Sequence, residues 1–86
     1  MRLKADVLEW RTLSGRIVAV DLRSRQVIEV NQSGARMWSE LLTGTTRDGL
    51  VHSLMEGYAI DSDRAGNDVD SFLRMLKDAD LIEDDE

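Results

Sequence analysis

The pattern of hydrophobic and polar positions divides the chain into a first third with the alternation typical of strands and a remainder with helical spacing. Residues 7–12 and 17–22 are rich in β-branched and aromatic side chains, which favours two strands. Ser14 and Gly15 between them are suited to a tight hairpin turn. A short polar loop then leads to a third predicted strand over residues 25–30.

The third predicted strand carries a mixed pattern. Alternation places Ile28 and Val30 on one face and Val27 and Glu29 on the other. A three-stranded sheet leaves an edge with unpaired N–H and C=O groups, and if the third strand lies at that edge beside the third helix, it can accept an extended peptide as a fourth strand.

After the third strand the hydrophobic period becomes helical. Asn31 is a suitable N-cap and Gly44 stands where a helix is expected to end, which predicts a first helix between them. The first helix has an apolar face made of Ala35, Trp38, Leu41 and Leu42.

Two further helices follow in the same pattern. Residues 45–48 resemble a capping box with Asp in place of Glu, and the second helix runs to about Gly57. Asp61 and the acidic turn after it predict the start of a third helix, whose apolar stripe is made of Ala65, Val69, Phe72, Leu73 and Leu76. Three strands followed by three helices predict an α+β fold with a winged helix-turn-helix-like order and a three-stranded antiparallel sheet.

The length of 86 residues allows one small domain with one core, so residues 1–86 are expected to form a single unit. The run of acidic residues at 83–86 is expected to be a solvated tail. There is no cysteine, which excludes disulfides and thiolate metal sites. No segment has the apolar length that a signal peptide or a membrane span needs, so we expect a cytoplasmic protein without a membrane partner.

The charge is distributed unevenly along the chain. Residues 1–30 carry six Lys/Arg and four Asp/Glu, whereas residues 31–86 carry five and thirteen, within a net charge of −6. Nucleic acid binding depends largely on clustered Lys and Arg, so the acidic majority of the chain disfavours a nucleic acid partner.

Candidate chemistry is sparse. His52 is the single histidine and falls outside the apolar stripe of the second helix, where it is expected at the surface. Residues 61–66 match the opening of a calcium loop, but Ala65 and Phe72 stand at two ligand positions, so a helix N-terminus explains the acids better. The sequence therefore predicts no catalytic residue, no metal site and no cofactor.

Several other residues have a structural and a functional interpretation. The carboxylates of the third helix are expected on a solvated face, although Asp68 beside the apolar stripe could line a groove and meet a cationic partner. Trp38 and Phe72 are expected in the core rather than in a platform for stacking bases. Gly34, Gly49 and Gly66 are expected to be tolerated in their helices rather than required, with the close approach of another backbone as the alternative.

The order of these motifs resembles the PqqD family. Residues 21–44, which read DLRSRQVIEVNQSGARMWSELLTG, are similar to its Asp-led hairpin, its strand ending in Asn and its helix closing in Leu-Leu-x-Gly. Residues 68–73 (DVDSFL) and the Leu-Ile pair at 81–82 are similar to its last helix, so that the resemblance spans residues 16–82. Arg25 and Asp80 depart from the pattern, since the family usually has glycine there, and Ile28 replaces a common aromatic residue.

The resemblance implies a recognition element for ribosomally made, modified peptides, most similar to the leader-binding protein of lasso peptide clusters. Such a protein is a non-catalytic adaptor that binds the leader segment of a precursor peptide and delivers it to a separate leader peptidase and a macrocyclase. The leader is expected to pair antiparallel with the third strand and to pack on the third helix. Carried onto this chain, the expected strand contacts are Arg25, Gln26, Val27, Ile28 and Glu29, and the expected helix contacts are Asp68, Val69, Phe72, Met75 and Leu76.

Two alternatives remain open from the sequence. A winged-helix DNA-binding regulator has the same element order, but the third helix has only Arg64, Arg74 and Lys77 against six aspartates. A small enzyme is opposed by the presence of one histidine and no cysteine.

Overall fold

The computed structural model describes residues 1–84 of the chain. A three-stranded antiparallel sheet is followed by three helices, which confirms the predicted α+β fold class. The helices and strands are β1 (Arg2–Leu3), β2 (Leu8–Leu13), β3 (Arg16–Asp21), β4 (Val27–Val30), α1 (Gln32–Thr43), α2 (Arg47–Gly57), α3 (Ser62–Asp78) and β5 (Ile82–Glu83), with a 3-10 turn at Ala5–Val7. The winged-helix likeness stays a prediction. Across residues 1–84, no helix has both the length and the apolar character needed to span a bilayer.

The main sheet has the strand order β2-β3-β4, which leaves β4 at one edge. The predicted turn between β2 and β3 is confirmed, because Ser14 and Gly15 both adopt positive φ angles of 53° and 77°. Two consecutive left-handed residues are typical of the type I′ turn, whose twist matches that of the flanking strands. The third predicted strand is β4, and as expected it lies at the edge of the sheet.

The predicted start of the third strand at residue 25 is wrong, because β4 begins at Val27. Arg25 has a φ of 65°, a left-handed conformation that an extended strand does not contain. Its N–H donates to the carbonyl of Asp21 at 2.7 Å and closes the turn between β3 and β4. Arg25 therefore has the backbone conformation that glycine adopts most readily, and it occupies a position where the family that the chain resembles usually has glycine.

Side-chain caps begin all three helices. The side chains of Asn31, Thr46 and Asp61 each accept a hydrogen bond from the N–H three residues later, at 2.9, 3.0 and 2.9 Å. Asn31 and Asp61 are the predicted caps, whereas the cap of α2 is Thr46 rather than Thr45. Gly44 ends α1 with a φ of 108°, as predicted.

The core lies between the sheet and the three helices. Trp38 is fully buried at its centre, and its ring meets that of the partly exposed Trp10 edge to face, with the ring centroids 5.7 Å apart. The expectation that Phe72 is a core residue is only partly correct. Its ring packs against the core but is only half-buried, because one side of α3 faces a groove rather than another element.

A small second sheet was not predicted. β1 pairs antiparallel with β5, with Arg2 opposite Glu83, and the carbonyl of Leu81 accepts the N–H of Lys4 at 2.8 Å. Glu83 therefore belongs to a strand rather than to a solvated tail, whereas residues 85 and 86 lie outside the described residues.

Candidate functional site

The free edge of β4 offers unused main-chain hydrogen bonds. The N–H of Asp21 donates to the carbonyl of Gln26 at 2.9 Å, so Asp21 and Gln26 form a hydrogen-bonded pair of the β3–β4 ladder. Ile28, which is opposite Ala19 of β3, lies two positions further along the ladder. Because bonded and non-bonded pairs alternate in an antiparallel ladder, Ile28 turns its N–H and C=O towards β3. Val27 and Glu29 therefore turn theirs to the open edge, with which no strand in residues 1–84 pairs.

A groove runs between this edge and α3. Its first cavity has a volume of about 540 Å³ and lies beside the C-terminal half of β4. The strand, the start of α1 and the middle of α3 all contribute to the cavity. Its lining consists of Arg16, Glu29, Val30, Asn31, Ser33, Gly34, Met37, Arg64, Asp68, Ser71, Phe72 and Met75.

The groove continues towards the turn between β3 and β4. A second cavity of about 560 Å³ shares Ser71 and Met75 with the first and reaches Gln26 and Ala79. We refer to these two cavities together as the groove. It follows the whole length of β4, so that an extended peptide paired with the strand would lie against α3.

Gly34 makes the floor of the groove possible. A Cβ atom at this position would lie 2.5 Å from Cγ1 of Val30 and 3.1 Å from Cε1 of Phe72. The expectation that Gly34 is merely tolerated is therefore wrong, because the strand, α1 and α3 approach one another at this residue. A side chain here would push these elements apart.

The structure separates the five predicted helix contacts into two groups. Asp68, Phe72 and Met75 line the groove, and the sulfur-containing side chain of Met75 is 36% exposed. Val69 and Leu76 are fully buried in the core and do not line it. The physical reason is the helical period, because residues 69 and 76 point to the side of α3 that packs against α2 and the rest of the core.

The predicted strand contacts are also divided. Gln26 and Glu29 line the groove. Val27 is 63% exposed on the outer face of the sheet, and Ile28 is half-buried against the core. Arg25 lies exposed in the turn and lines neither cavity. The strand can therefore contribute main-chain groups of Val27 and Glu29 and side chains from Gln26 and Glu29.

The sequence reasoning missed several residues of the groove, among them Arg64 and Ser71 on α3. A signal was present, because Arg64, Asp68 and Phe72 are spaced by four residues and share one face of a helix. Met37 was also missed, since nothing in its pattern distinguishes a core residue from one at the base of a cavity.

The charges in the groove are balanced. In the second cavity Arg74 and Asp78 supply one charge of each sign. In the first cavity Arg16 and Arg64 supply two positive side chains, and Glu29 and Asp68 supply two negative ones. Within residues 1–84 the side chains of these four residues make no hydrogen bond or ion pair with one another or with the rest of the chain. They are available to a ligand, and together they favour neither a polyanion nor a polycation.

Two other acidic residues, Asp70 of α3 and its N-cap Asp61, have structural roles. Asp70 accepts two hydrogen bonds from the guanidinium of Arg47 on α2, at 2.7 and 3.0 Å. These charge-assisted bonds lower the pKa of Asp70 below its usual value. Asp61 caps the helix, so the residues with calcium-loop spacing are used as a helix N-terminus.

The single histidine of the chain does not line the groove. His52 is exposed on α2, as predicted, with Nε2 3.3 Å from Glu56 Oε1. Residues 1–84 contain no group of three or more His, Cys, Asp or Glu side chains placed to hold a metal ion. The arrangement is suited to binding an extended chain through main-chain bonds and an adjacent apolar surface.

Comparisons with known proteins identify the family and the fold. The family model described as coenzyme PQQ synthesis protein D (PqqD) matches residues 16–82. No curated protein matches the chain. A solved structure titled "TbiB1 in Complex with the TbiA(beta) Leader Peptide" has a TM-score of 0.85 at 24% identity, covering 96% of this chain and 95% of that one. A second, "Lasso peptide synthetase B1 complexed with the leader peptide", has a TM-score of 0.79 at 21% identity, covering 93% of each chain.

Proposed function

The chain belongs to the PqqD family, and from this premise we propose that it is a non-catalytic adaptor that binds the leader segment of a ribosomally synthesised precursor peptide. The lasso peptide class is the favoured source of the leader, because both similar structures are titled as leader-peptide complexes, one of them of a lasso peptide synthetase. The observation that carries the proposal is the unpaired edge of β4 beside the groove.

The leader binds as a fourth strand, antiparallel to β4. Val27 and Glu29 each offer one N–H and one C=O, so the peptide gains up to four main-chain hydrogen bonds without any particular sequence. Specificity comes from the side chains of the leader that face α3, which contact Phe72, Met75 and the charged side chains of Arg64 and Asp68. Antiparallel pairing places the N-terminal part of the leader near Asn31 and its C-terminal part near the turn.

The size of the interface limits the affinity. Each main-chain hydrogen bond contributes a net of about 1 kcal/mol, and the apolar contacts in the groove add to this. A short peptide in a groove lies at the small end of specific interfaces, so we expect a dissociation constant on the order of 10 nM to 10 μM.

The role as an adaptor follows from what the chain offers besides the groove. The described residues supply an unpaired strand edge beside a groove, and the proposal assigns the chemistry to other proteins. We propose that the bound leader is delivered to a leader peptidase and a macrocyclase of the same pathway. Because the ligand is a newly synthesised peptide, the proposal places the protein in the cytoplasm, with no cofactor.

Fluorescence polarisation with a labelled synthetic lasso precursor leader tests the proposal. Saturable binding within the stated range, with a scrambled peptide of the same composition at least about tenfold weaker, is the expected result. A labelled DNA duplex is the second probe and is expected not to bind at physiological salt. Equal affinity for the leader and the scrambled peptide would contradict leader recognition, and saturable binding of the duplex would favour the DNA-binding alternative.

A further inference from the structure

Arg23 connects the turn between β3 and β4 to the end of α3. Its Nε and Nη2 donate to the carboxylate of Asp21 at 3.1 and 3.0 Å, which holds the guanidinium against the last residue of β3. The same guanidinium donates from Nη1 to Oδ2 of Asp80 at 3.2 Å, and from Nη2 to the carbonyls of Ala79 and Asp80 at 3.3 and 3.0 Å. We call the hydrogen bonds from Arg23 to Asp21, Ala79 and Asp80 together the clasp.

The end of α3 is shaped to receive the clasp. The N–H of Leu81 donates to the carbonyl of Leu76 at 2.9 Å, and the N–H of Asp80 donates to the carbonyl of Lys77 at 3.0 Å. This is the Schellman arrangement, and Asp80 takes its left-handed position with a φ of 56°. A glycine would adopt that conformation more readily, but it would lack the carboxylate that meets Arg23.

The clasp closes one end of the groove. Ala79, whose carbonyl accepts from Arg23, lines the groove together with Gln26 of the turn. In the described part of the chain, no other hydrogen bond joins residues 22–30 to α3 or to the residues at its end. The two walls, β4 and α3, are therefore held by the clasp at one end and by the packing around Gly34 at the other.

We infer that Arg23 is a positioning residue for peptide binding, because the clasp fixes the distance between β4 and α3 before the peptide arrives. The inference rests on the proposed function. A peptide that pairs with β4 and also contacts α3 requires a fixed distance between these two elements. If this distance is already set in the free protein, binding does not carry the free-energy cost of ordering the groove. Loss of the clasp leaves the turn end of β4 paired with β3 but no longer hydrogen-bonded to the end of α3, and it is expected to weaken peptide binding by about fivefold to twentyfold.

The chain offers a matched control for the loss of an arginine. Arg47 makes two hydrogen bonds to Asp70 at 2.7 and 3.0 Å, so it is also an arginine paired with an aspartate of the helical half. It joins α2 to α3 and lines neither cavity of the groove. Arg23→Ala and Arg47→Ala therefore each remove an exposed arginine side chain that is paired with an aspartate. Only the first removes hydrogen bonds between the turn beside β4 and the end of α3.

Two measurements on the full chain decide the inference. Because the protein has no cysteine, the substitutions Ser24→Cys and Asn67→Cys allow one nitroxide label to be attached to the turn and one to α3. Double electron–electron resonance then gives the distribution of distances between the two labels. We expect a narrow distribution in the parent and in Arg47→Ala, and a broader one in Arg23→Ala. In the unlabelled proteins, Arg23→Ala is expected to bind the leader about fivefold to twentyfold more weakly, with Arg47→Ala within about twofold of the parent.

The outcomes separate this inference from the proposed function. An unchanged distance distribution in Arg23→Ala would overturn the clasp whether or not the leader binds. A broadened distribution with unchanged leader affinity would overturn the positioning role. If the parent itself fails to bind the leader, the proposed function and the positioning role both fall, and the distance distribution still decides whether Arg23 holds the two walls together.

Discussion

Val30 and Gly34 approach so closely that a Cβ atom on the glycine would lie 2.5 Å from Cγ1 of the valine. Val30 is the last residue of β4, and Gly34 lies in the first turn of α1, so the chain reverses from strand to helix around this contact. Phe72 of α3 closes on the same point, with Cε1 3.1 Å from the position that such a Cβ would take. The contact sets how near the three elements lie at the floor of the groove.

Gly34→Ala is expected to destabilise the fold. The added methyl group meets a buried valine that cannot move away, and overpacking of this kind costs about 1 to 3 kcal/mol, more than the gain of about 1 kcal/mol in helix propensity. Urea unfolding followed by circular dichroism measures the difference. An unchanged or higher free energy of unfolding would contradict the role assigned to this contact.

Gly66→Ala is the matched control within α3. A Cβ atom there meets only Nη2 of Arg47 at 3.1 Å, which is the movable end of a long side chain. The same measurement should therefore give a free energy of unfolding that is unchanged or raised by up to about 1 kcal/mol. A loss as large as that of Gly34→Ala would contradict the assignment of the Gly34→Ala cost to the contact with Val30 and Phe72.

Glu29→Pro is expected to weaken leader binding because it removes an N–H that faces the open edge. The loss of one main-chain hydrogen bond corresponds to about threefold to tenfold in affinity. Glu29→Thr keeps the N–H and changes only the side chain, so polarisation titrations of the two variants separate the two contributions. Equal affinities for both variants would rule out pairing along β4 as the mode of binding.

Met75→Ala tests the apolar wall of the groove. The side chain lines both cavities and is 36% exposed, so its truncation should weaken leader binding by about threefold to thirtyfold while lowering the free energy of unfolding by only about 1 kcal/mol. Met55→Ala on α2 removes a side chain of similar exposure, 42%, outside the groove. A binding defect in Met55→Ala as large as that in Met75→Ala would contradict the assignment of the groove.

The stability of the fold should fall in acid through Asp21. Hydrogen bonds from the Arg23 side chain lower the pKa of Asp21 from 3.8 to about 2. Because the folded-state pKa is lowered, the carboxylate contributes stability above its unfolded value of about 4, and this contribution is lost as the pH falls from about 5 to 2. Urea midpoints measured across this window should fall less in Asp21→Asn than in the parent. Parallel curves would contradict the contribution of this group.

Local chemistry was sufficient to predict most of the helices and the hairpin. The helix ends depend on neighbouring residues only, because Asn31 and Asp61 bond to an N–H three residues away and Gly44 ends α1 by its own conformation. The hairpin turn likewise depends on the left-handed conformation of Ser14 and Gly15. β1 and β5 escaped prediction because two residues are too short to display a period. Their pairing depends on the burial of Leu3 and Leu81, which come from opposite ends of the chain.

The candidate site was only partly predictable for a similar reason. Alternation separated the two faces of β4, and helical spacing placed Asp68 beside the apolar stripe of α3. The sequence could not separate Val69 and Leu76, which are in the core, from Met75, which lines the groove, because all three lie on or beside one apolar stripe. Which side of the stripe is covered depends on how α2 and the sheet pack against α3.

Titration of the 15N-labelled protein with a synthetic lasso precursor leader tests the central claim most directly. We predict saturable amide shifts that concentrate on residues 26–30 and on the groove-facing positions of α3 from Arg64 to Met75, with His52 and the rest of the exposed face of α2 unchanged. Shifts that are absent at saturating leader, or that lie on the outer face of the sheet and leave β4 and α3 unaffected, would contradict leader binding in this groove.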